Sequence, residues 1–454
     1  MKQPNQEKGS ARKRYELSRR RFLANSGAVA SAAAASTLWT PKLAIGSQGT
    51  SVSPTLIVIF LRGGADGLTW VAPVNDTYYS DRRVVGQTRI EPPGAGARGW
   101  LNESDGWALP PGAVDEATSV DLKVPYGNGD LVFVHGTGLT GNGRSHFEAM
   151  NFLEWGITPG TLPPGTPGWF ARYMEARMSM GSLLGVGLGP TLPVSLAGAP
   201  KTKAVDDLQQ VSFPGWIETA GLRRTAIEDS YSGHPNLLLK TGAADAFAAL
   251  DALSNVTYGP CPADYPRYPA TQQITPFAQS MCDLATLLKS GAVELDSAHL
   301  NFGGWDHHNA QRPLAGPDPD TFFTMSWDVS KTLAAFYNDM GGSAGTSKYI
   351  VAVVTEFGRR IAENNSEGTD HGTGGVAMVM GDGVSTGAFA GKVFYRDWDV
   401  QEGIEELLDP THPEDLKITH DIRHVLGEIL NRRYGIGGVF PNFQVEEQGI
   451  VGIA

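Results

Sequence analysis

The sequence predicts an α/β fold built on a mainly parallel central sheet flanked by helices, with long Gly/Pro-rich loop insertions. Three observations carry this expectation. Short runs rich in β-branched and apolar residues recur along the chain, as buried parallel strands require. Amphipathic stretches of helical length separate them. Glycine-rich turns bearing carboxylates and histidines follow the apolar runs, where open α/β sheets place their sites.

Thr55–Leu61, a seven-residue apolar run, reads as a central strand and ends in the turn Arg62-Gly63-Gly64-Ala65-Asp66-Gly67. Residues 75–128 are polar and rich in Pro and Gly, and read as an irregular excursion over the surface. Leu131–His135 is the next buried strand. Ser145 with Glu148 fits a capping box and starts a helix running to about Trp155. Residues 183–198 hold a strand with turns, and helices are expected at 242–253 and 273–291. Ser297–Asn301 leads into Gly303-Gly304-Trp305-Asp306-His307-His308. A helix at 320–340, a strand at 349–355, a second apolar run at 376–380 and a last helix near 419–433 complete the pattern. No second core is evident, so 47–454 reads as one domain.

The chain has 454 residues, 56 of them glycine and 29 proline, and 41% hydrophobic content, which fits a globular core with many turns. Residues 1–46 read as a targeting segment. Arg19-Arg20-Arg21-Phe22-Leu23 resembles a twin-arginine export signal, an Ala-rich run follows, and small residues near Ala44 offer a cleavage site. That run is too short for a stable membrane span. The expected location is the periplasm or the cell exterior, with the twin-arginine translocase as the partner during export. Residues 1–46 hold nine Lys/Arg and two Glu, so the remainder has 27 basic and 46 acidic residues, a net charge of −19. Such a surface excludes nucleic acid as a partner. Cys261 and Cys282, the two cysteines, are either one disulfide or two thiols.

Four clusters fall just after expected strands: Asp66; Ser145-His146; Asp306-His307-His308; and Glu356 with Asp370-His371. Carboxylates and imidazoles gathered at one sheet edge suit one or two divalent ions such as zinc, manganese, calcium or iron, and a metal pair about 3.5–4 Å apart polarises an ester. The metal candidates are Asp66, Asp306, His308, Glu356, Asp370 and His371. Asp306 and His308 lie on one side of an extended segment, with His307 pointing away. Glu356 has an alternative as a surface pair with Arg359. Ser145 is either a helix cap or a nucleophile at a helix N-terminus. His146 would hold an oxyanion, move a proton or bind metal, and Arg144 would clamp a phosphate or sulfate. The turn Arg62–Gly67 is not a nucleotide-binding fingerprint, and no G-x-x-x-x-G-K-[ST] occurs in the chain.

LIVIFLRGGADGLTWVAP, GRSHFEAMNFLEWG, FGGWDHHNAQ and TEFGRRIAENNSEGTDHGTGG resemble the DUF1501 family over roughly residues 54–434. The resemblance implies twin-arginine export and similarity in fold to the alkaline phosphatase and sulfatase superfamily, with its two-metal site at the strand ends. It places Asp66 as the metal-binding Asp after the first strand and Ser145 as the nucleophile. Asp306 and His308 resemble the first-metal pair with altered spacing. Glu356-Phe357 stands where an Asp-His pair serves the second metal, so the acid is kept and the His becomes Phe. His371 is the final His, or Asp370-His371 is itself the pair. One metal, two differently ligated metals or none follow from that replacement. The implied function is hydrolysis of a small-molecule or glycan phosphate or sulfate ester. The alternative is a non-catalytic envelope protein binding a glycan or a partner, with Trp70, Trp100, Trp107 and Tyr126 either stacking on sugars or, the commoner role for such residues, packing in the core or turns.

Overall fold

Strand β1 (Thr55–Arg62) is buried along nearly its whole length and pairs in parallel with a neighbour on each side. These are β8 (Ser297–Gly303) and β9 (Tyr349–Val354). Alternate side chains feed two cores. Ile57, Ile59 and Leu61 face one layer, and Leu56, Val58 and Phe60 the other. Each such apolar side chain removed from water contributes about 1.5–3 kcal/mol. The expectation of a mainly parallel α/β sheet is met in this computed structural model, which describes residues 53–161, 165–213, 217–314, 321–384, 393–394 and 403–451. The expected export segment, 1–46, lies outside the described residues.

The remaining strands are β2 (Ala72–Pro73), β3 (Trp100–Asn102), β4 (Trp107–Ala108), β5 (Leu131–Gly138), β6 (Gly185–Leu188), β7 (Thr202–Val205), β10 (Arg359–Glu363), β11 (Thr369–His371), β12 (Gly375–Gly381), β13 (Val393–Phe394) and β14 (His420–Asp421). The central sheet runs β13-β5-β12-β9-β1-β8-β6-β7, with β14 also on β5. All its pairings are parallel except those of β12, which is antiparallel to both β5 and β9. The 376–380 run therefore departs from the parallel pattern. Its direction has a consequence: the chain leaves β9 at the carboxyl edge, turns through the β10–β11 hairpin, and enters β12 from that same edge.

The principal helices are α1 (Gly67–Trp70), α2 (His146–Trp155), α3 (Trp169–Arg177), α4 (Ala220–Ser232), α5 (Leu237–Ser254), α6 (Pro276–Ser290), α7 (Phe322–Asp339) and α8 (Ile422–Tyr434). Helices α6 and α7 pack on one face of the sheet, α3 and α8 on the other. Their starts are written in the sequence. Thr275 accepts from the Ala278 N–H with Pro276 in the first turn, Thr321 caps α7, and Asp421 caps α8. A disulfide joins Cys261 to Cys282 of α6, resolving the open alternative.

The 75–128 excursion is not a surface loop. It holds β3 and β4, which form a small sheet with β2, and Trp100, Trp107, Leu109 and Tyr126 are buried against the core. Trp70 is fully buried as well, which removes these four aromatics as glycan-stacking surfaces.

Candidate metal centre

The turn after β1 sets the floor of the site. Gly63 and Gly64 have φ of +124° and +66°. A Cβ on Gly63 would sit 2.5 Å from the Asp306 nitrogen, and one on Gly64 would sit 2.5 Å from the Phe357 ring. Glycine is therefore needed on both counts. It lets the β1 turn, the β8 exit and the β9 exit close on one another.

Three imidazoles converge on Asp306. His146 opens α2, and its Nδ1 lies 2.7 Å from Glu356 Oε1. His308 places Nδ1 3.2 Å from Asp370 Oδ1, and His371 places Nδ1 2.8 Å from the Arg144 carbonyl. Each Nδ1 faces an acceptor; in the tautomer that donates Nδ1–H to it, the Nε2 lone pair points inward. Those Nε2 atoms lie 3.3 Å (His146), 3.2 Å (His308) and 3.1 Å (His371) from Asp306 oxygens. The His308 and His371 Nε2 atoms are 2.8 Å apart. His146 Nε2 is buried and makes no hydrogen bond.

Lone pairs facing a carboxylate oxygen and one another repel unless a proton or a cation lies between them. The ligand atoms of His146, Asp306 and His371 fall within 4.8 Å of one another, and His308 adjoins two of them. Imidazole nitrogens plus one carboxylate suit a divalent transition metal, and Nδ1–H donated to a carboxylate or carbonyl is how metal-bound histidines are oriented. The residues present fit such an ion.

Charges around the cluster agree. Arg359 is buried, donates to the carbonyls of Gly64, Thr369, Gly63 and Trp305, and pairs with Asp306 at 2.6 Å. Partial burial opposes ionisation of Asp306, but the Arg359 hydrogen bond and charge outweigh it and hold the carboxyl well below the usual range. The Glu356 hydrogen bond raises the His146 pKa. Burial lowers that of His371.

The structure redistributes the expected roles. Asp66 is not part of the cluster. Buried, it caps α1 through Leu68 N–H and accepts from Thr69, Gln311 and both terminal nitrogens of Arg83, so its oxygens are saturated by protein donors. Burial is the largest single influence and raises its pKa, but Arg83 together with the hydrogen bonds of Thr69 and Gln311 makes the net direction down. Glu356 and Asp370 orient imidazoles instead of joining the close ligand group. Glu356 is fully buried and also accepts from Gly63 N–H at 2.9 Å, so it is no surface pair with Arg359. His146, for which the sequence leaves oxyanion binding, proton transfer and metal binding all open, lies in the close group with Asp306 and His371. His307 turns away from the centre onto Trp305 and Phe322. Phe357 packs its ring 4.8 Å from both the His146 and the His371 rings. An apolar wall thus flanks the imidazoles at this position.

Ser145 is exposed and precedes α2, but its hydroxyl makes no hydrogen bond to the first turn, so the expected capping box does not form. Arg144 binds the buried Asp415 and the His371 carbonyl through Nη1 alone. Sequence reasoning missed Arg359 as part of the site. Its signal was the carboxylate-rich loop around it, which a buried cation has to balance.

Most of these residues fall in one stretch. Residues 267–428 match the model of the DUF1501 family. The family's description is a protein of unknown function. The matched stretch contains Asp306, His308, Glu356, Arg359, Asp370 and His371, while Ser145 and His146 lie before it. No curated protein matches the chain. Similar solved structures include a 2-O GAG sulfatase, at 14% identity over 73% of this chain and 65% of that one, with a TM-score of 0.26. A protein of the alkaline phosphatase superfamily from Vibrio parahaemolyticus matches at 11% identity, 79% and 69% coverage and a TM-score of 0.29. Alkaline phosphatase from the Antarctic bacterium TAB5 matches at 9% identity, 74% and 93% coverage and a TM-score of 0.27. The chain thus spans about two thirds of the length of the first two.

Proposed function

We propose that this protein is an exported, metal-dependent hydrolase of phosphate or sulfate esters. The observation that carries the reading is the set of inward-facing Nε2 atoms on His146, His308 and His371 around Asp306, each held by an Nδ1 partner. His146, Asp306 and His371 would hold the ion, which leaves the His308 Nε2 lone pair beside it uncommitted. When bound, such an ion supplies Lewis acidity toward the oxygens of the ester.

The remaining roles belong to this chain's own groups. Ser145, exposed at the N-terminus of α2 and free of a capping bond, is the nucleophile; the helix N–H groups there favour an anion. His308, more exposed than the other two imidazoles (43% against 22%), takes the hydroxyl proton on Nε2 while Asp370 steadies Nδ1. Arg144 has Nη2 and Nε left to bind the ester's anionic oxygens. The twin-arginine-like start of the chain supports export of the folded, loaded protein.

The test is elemental mass spectrometry of folded protein purified without chelator, followed by assay on aryl phosphate and aryl sulfate esters. One equivalent of a transition metal is expected, lost in the Asp306→Ala, His371→Ala double variant. Protein that neither carries metal nor takes it up on titration would sink the reading.

A further inference from the structure

A cavity of about 580 Å³ opens at the carboxyl ends of β6, β7 and β8, on the same sheet edge as the metal centre but sharing none of its residues. One part of its wall is aromatic. Phe277 and Phe302 stack with ring centroids 4.8 Å apart and planes 4° from parallel, and Tyr268 adjoins them. Another part is acidic, with Asp283 from α6 and Asp328 from α7. These carboxylates are only 3% and 7% exposed. Asp328 Oδ1 accepts from Thr275 at 2.6 Å and Thr332 at 3.1 Å. Asp283 Oδ1 accepts from the amides of Gln209 and Gln279, both at 2.9 Å. All four bonds end on Oδ1, and neither Oδ2 receives one.

A buried carboxylate is costly unless paired. Burial accordingly pushes the Asp328 pKa up to about 6 and raises that of Asp283. No Lys, Arg or His is among the described residues lining the cavity, and Asp206 and Asp207 add further negative charge. The lining therefore repels a phosphate or sulfate, so this is not a second subsite for an anionic ester. A hard divalent ion, bound through oxygens alone, would leave the stacked Phe277–Phe302 face of the cavity without a role. An organic cation satisfies both halves of the wall, its charge on the acids and its carbon body on the rings.

We propose that this cavity binds a small aliphatic amine, its ammonium groups paired with Oδ2 of Asp283 and Asp328 and its chain packed on Phe277 and Phe302. The site is independent of the metal centre.

The experiment is isothermal titration of the full chain at pH 8 and low salt with 1,5-diaminopentane, against 1,5-pentanediol as the uncharged isostere. Saturable one-site binding of the diamine is expected, with none of the diol. Asp328→Asn and Asp283→Asn should each weaken it about tenfold or more, whereas His371→Ala should leave it unchanged. Circular dichroism confirms that each variant is folded, and either Asn variant alone suffices if the other misfolds. No saturable diamine binding, equal binding of the diol, or undiminished affinity in the folded variants would overturn the proposal.

Discussion

Asp66 and Asp306 look alike in the sequence. Each is a carboxylate in a glycine-rich turn a few residues past a buried strand, and the two strands, β1 and β8, are neighbours. Their surroundings are opposite. Asp66 is 2% exposed and ringed by donors, with Arg83 wholly buried against it. Asp306 is 46% exposed and faces the Nε2 atoms of three imidazoles, with Arg359 alone as its fixed cation among the described residues. The protein's own hydrogen bonds are complete at the first and incomplete at the second. What distinguishes a structural acid from a ligand here is which atoms its neighbours turn toward it.

The largest expected effect breaks the pair apart. Asp66→Ala strands a buried guanidinium and should destabilise the fold by about 3–5 kcal/mol. Asp306→Ala, compared as metal-stripped protein, also takes the paired carboxylate from the buried Arg359, but Arg359 keeps four carbonyl acceptors and the lost side chain is half-exposed, so the cost should be smaller, about 1–3 kcal/mol. Urea unfolding followed by circular dichroism measures both. A small loss in Asp66→Ala would mean that Arg83 finds another partner and that the contrast is weaker than drawn.

A smaller effect sharpens the Asp306 side. The Glu356 hydrogen bond raises His146 above its ordinary 6.5. In metal-stripped protein a proton on His146 therefore favours the folded state. That contribution is fully present below about pH 6.5 and is lost as the pH climbs through the raised folded value. Metal uptake has the opposite slope, since the ion displaces that proton, so affinity should rise with pH over the same window. Glu356→Gln should flatten both dependences and weaken metal binding about 10–100-fold. A stability profile of the stripped protein that does not respond to Glu356→Gln would show that His146 does not titrate there.

The contrast also explains what the sequence disclosed. β1, β5 and β9 were legible because buried strands are continuous apolar runs, and α6, α7 and α8 because their caps and apolar stripes are local signals. The residues at the sheet edge were legible as a group for the same reason: the strand ends bring them there. Their individual roles were not. Asp66 owes its role to Arg83 and to Gln311, 245 positions away. Glu356 and Arg359 read as a surface pair because their spacing is local, while their partners, His146 and the Gly63 and Gly64 carbonyls, are long-range. The 75–128 segment read as surface because strands two or three residues long leave no period to detect. β12 reversed direction without a signal, since a run buried on both faces looks the same either way.

The smallest structural effect belongs to Ser145, and it separates a cap from a nucleophile. A serine that caps a helix costs about 1 kcal/mol when replaced by alanine. Ser145 makes no such bond, so Ser145→Ala should shift stability by no more than about 0.5 kcal/mol and leave metal content unchanged. Its effect on ester turnover should be out of proportion, a loss of several orders of magnitude if Oγ forms the covalent bond. Turnover near that of the parent protein would reassign the attack to water and leave Ser145 as a solvent-facing residue at the start of α2. A stability loss of a full kcal/mol would instead restore the capping role that the sequence suggested.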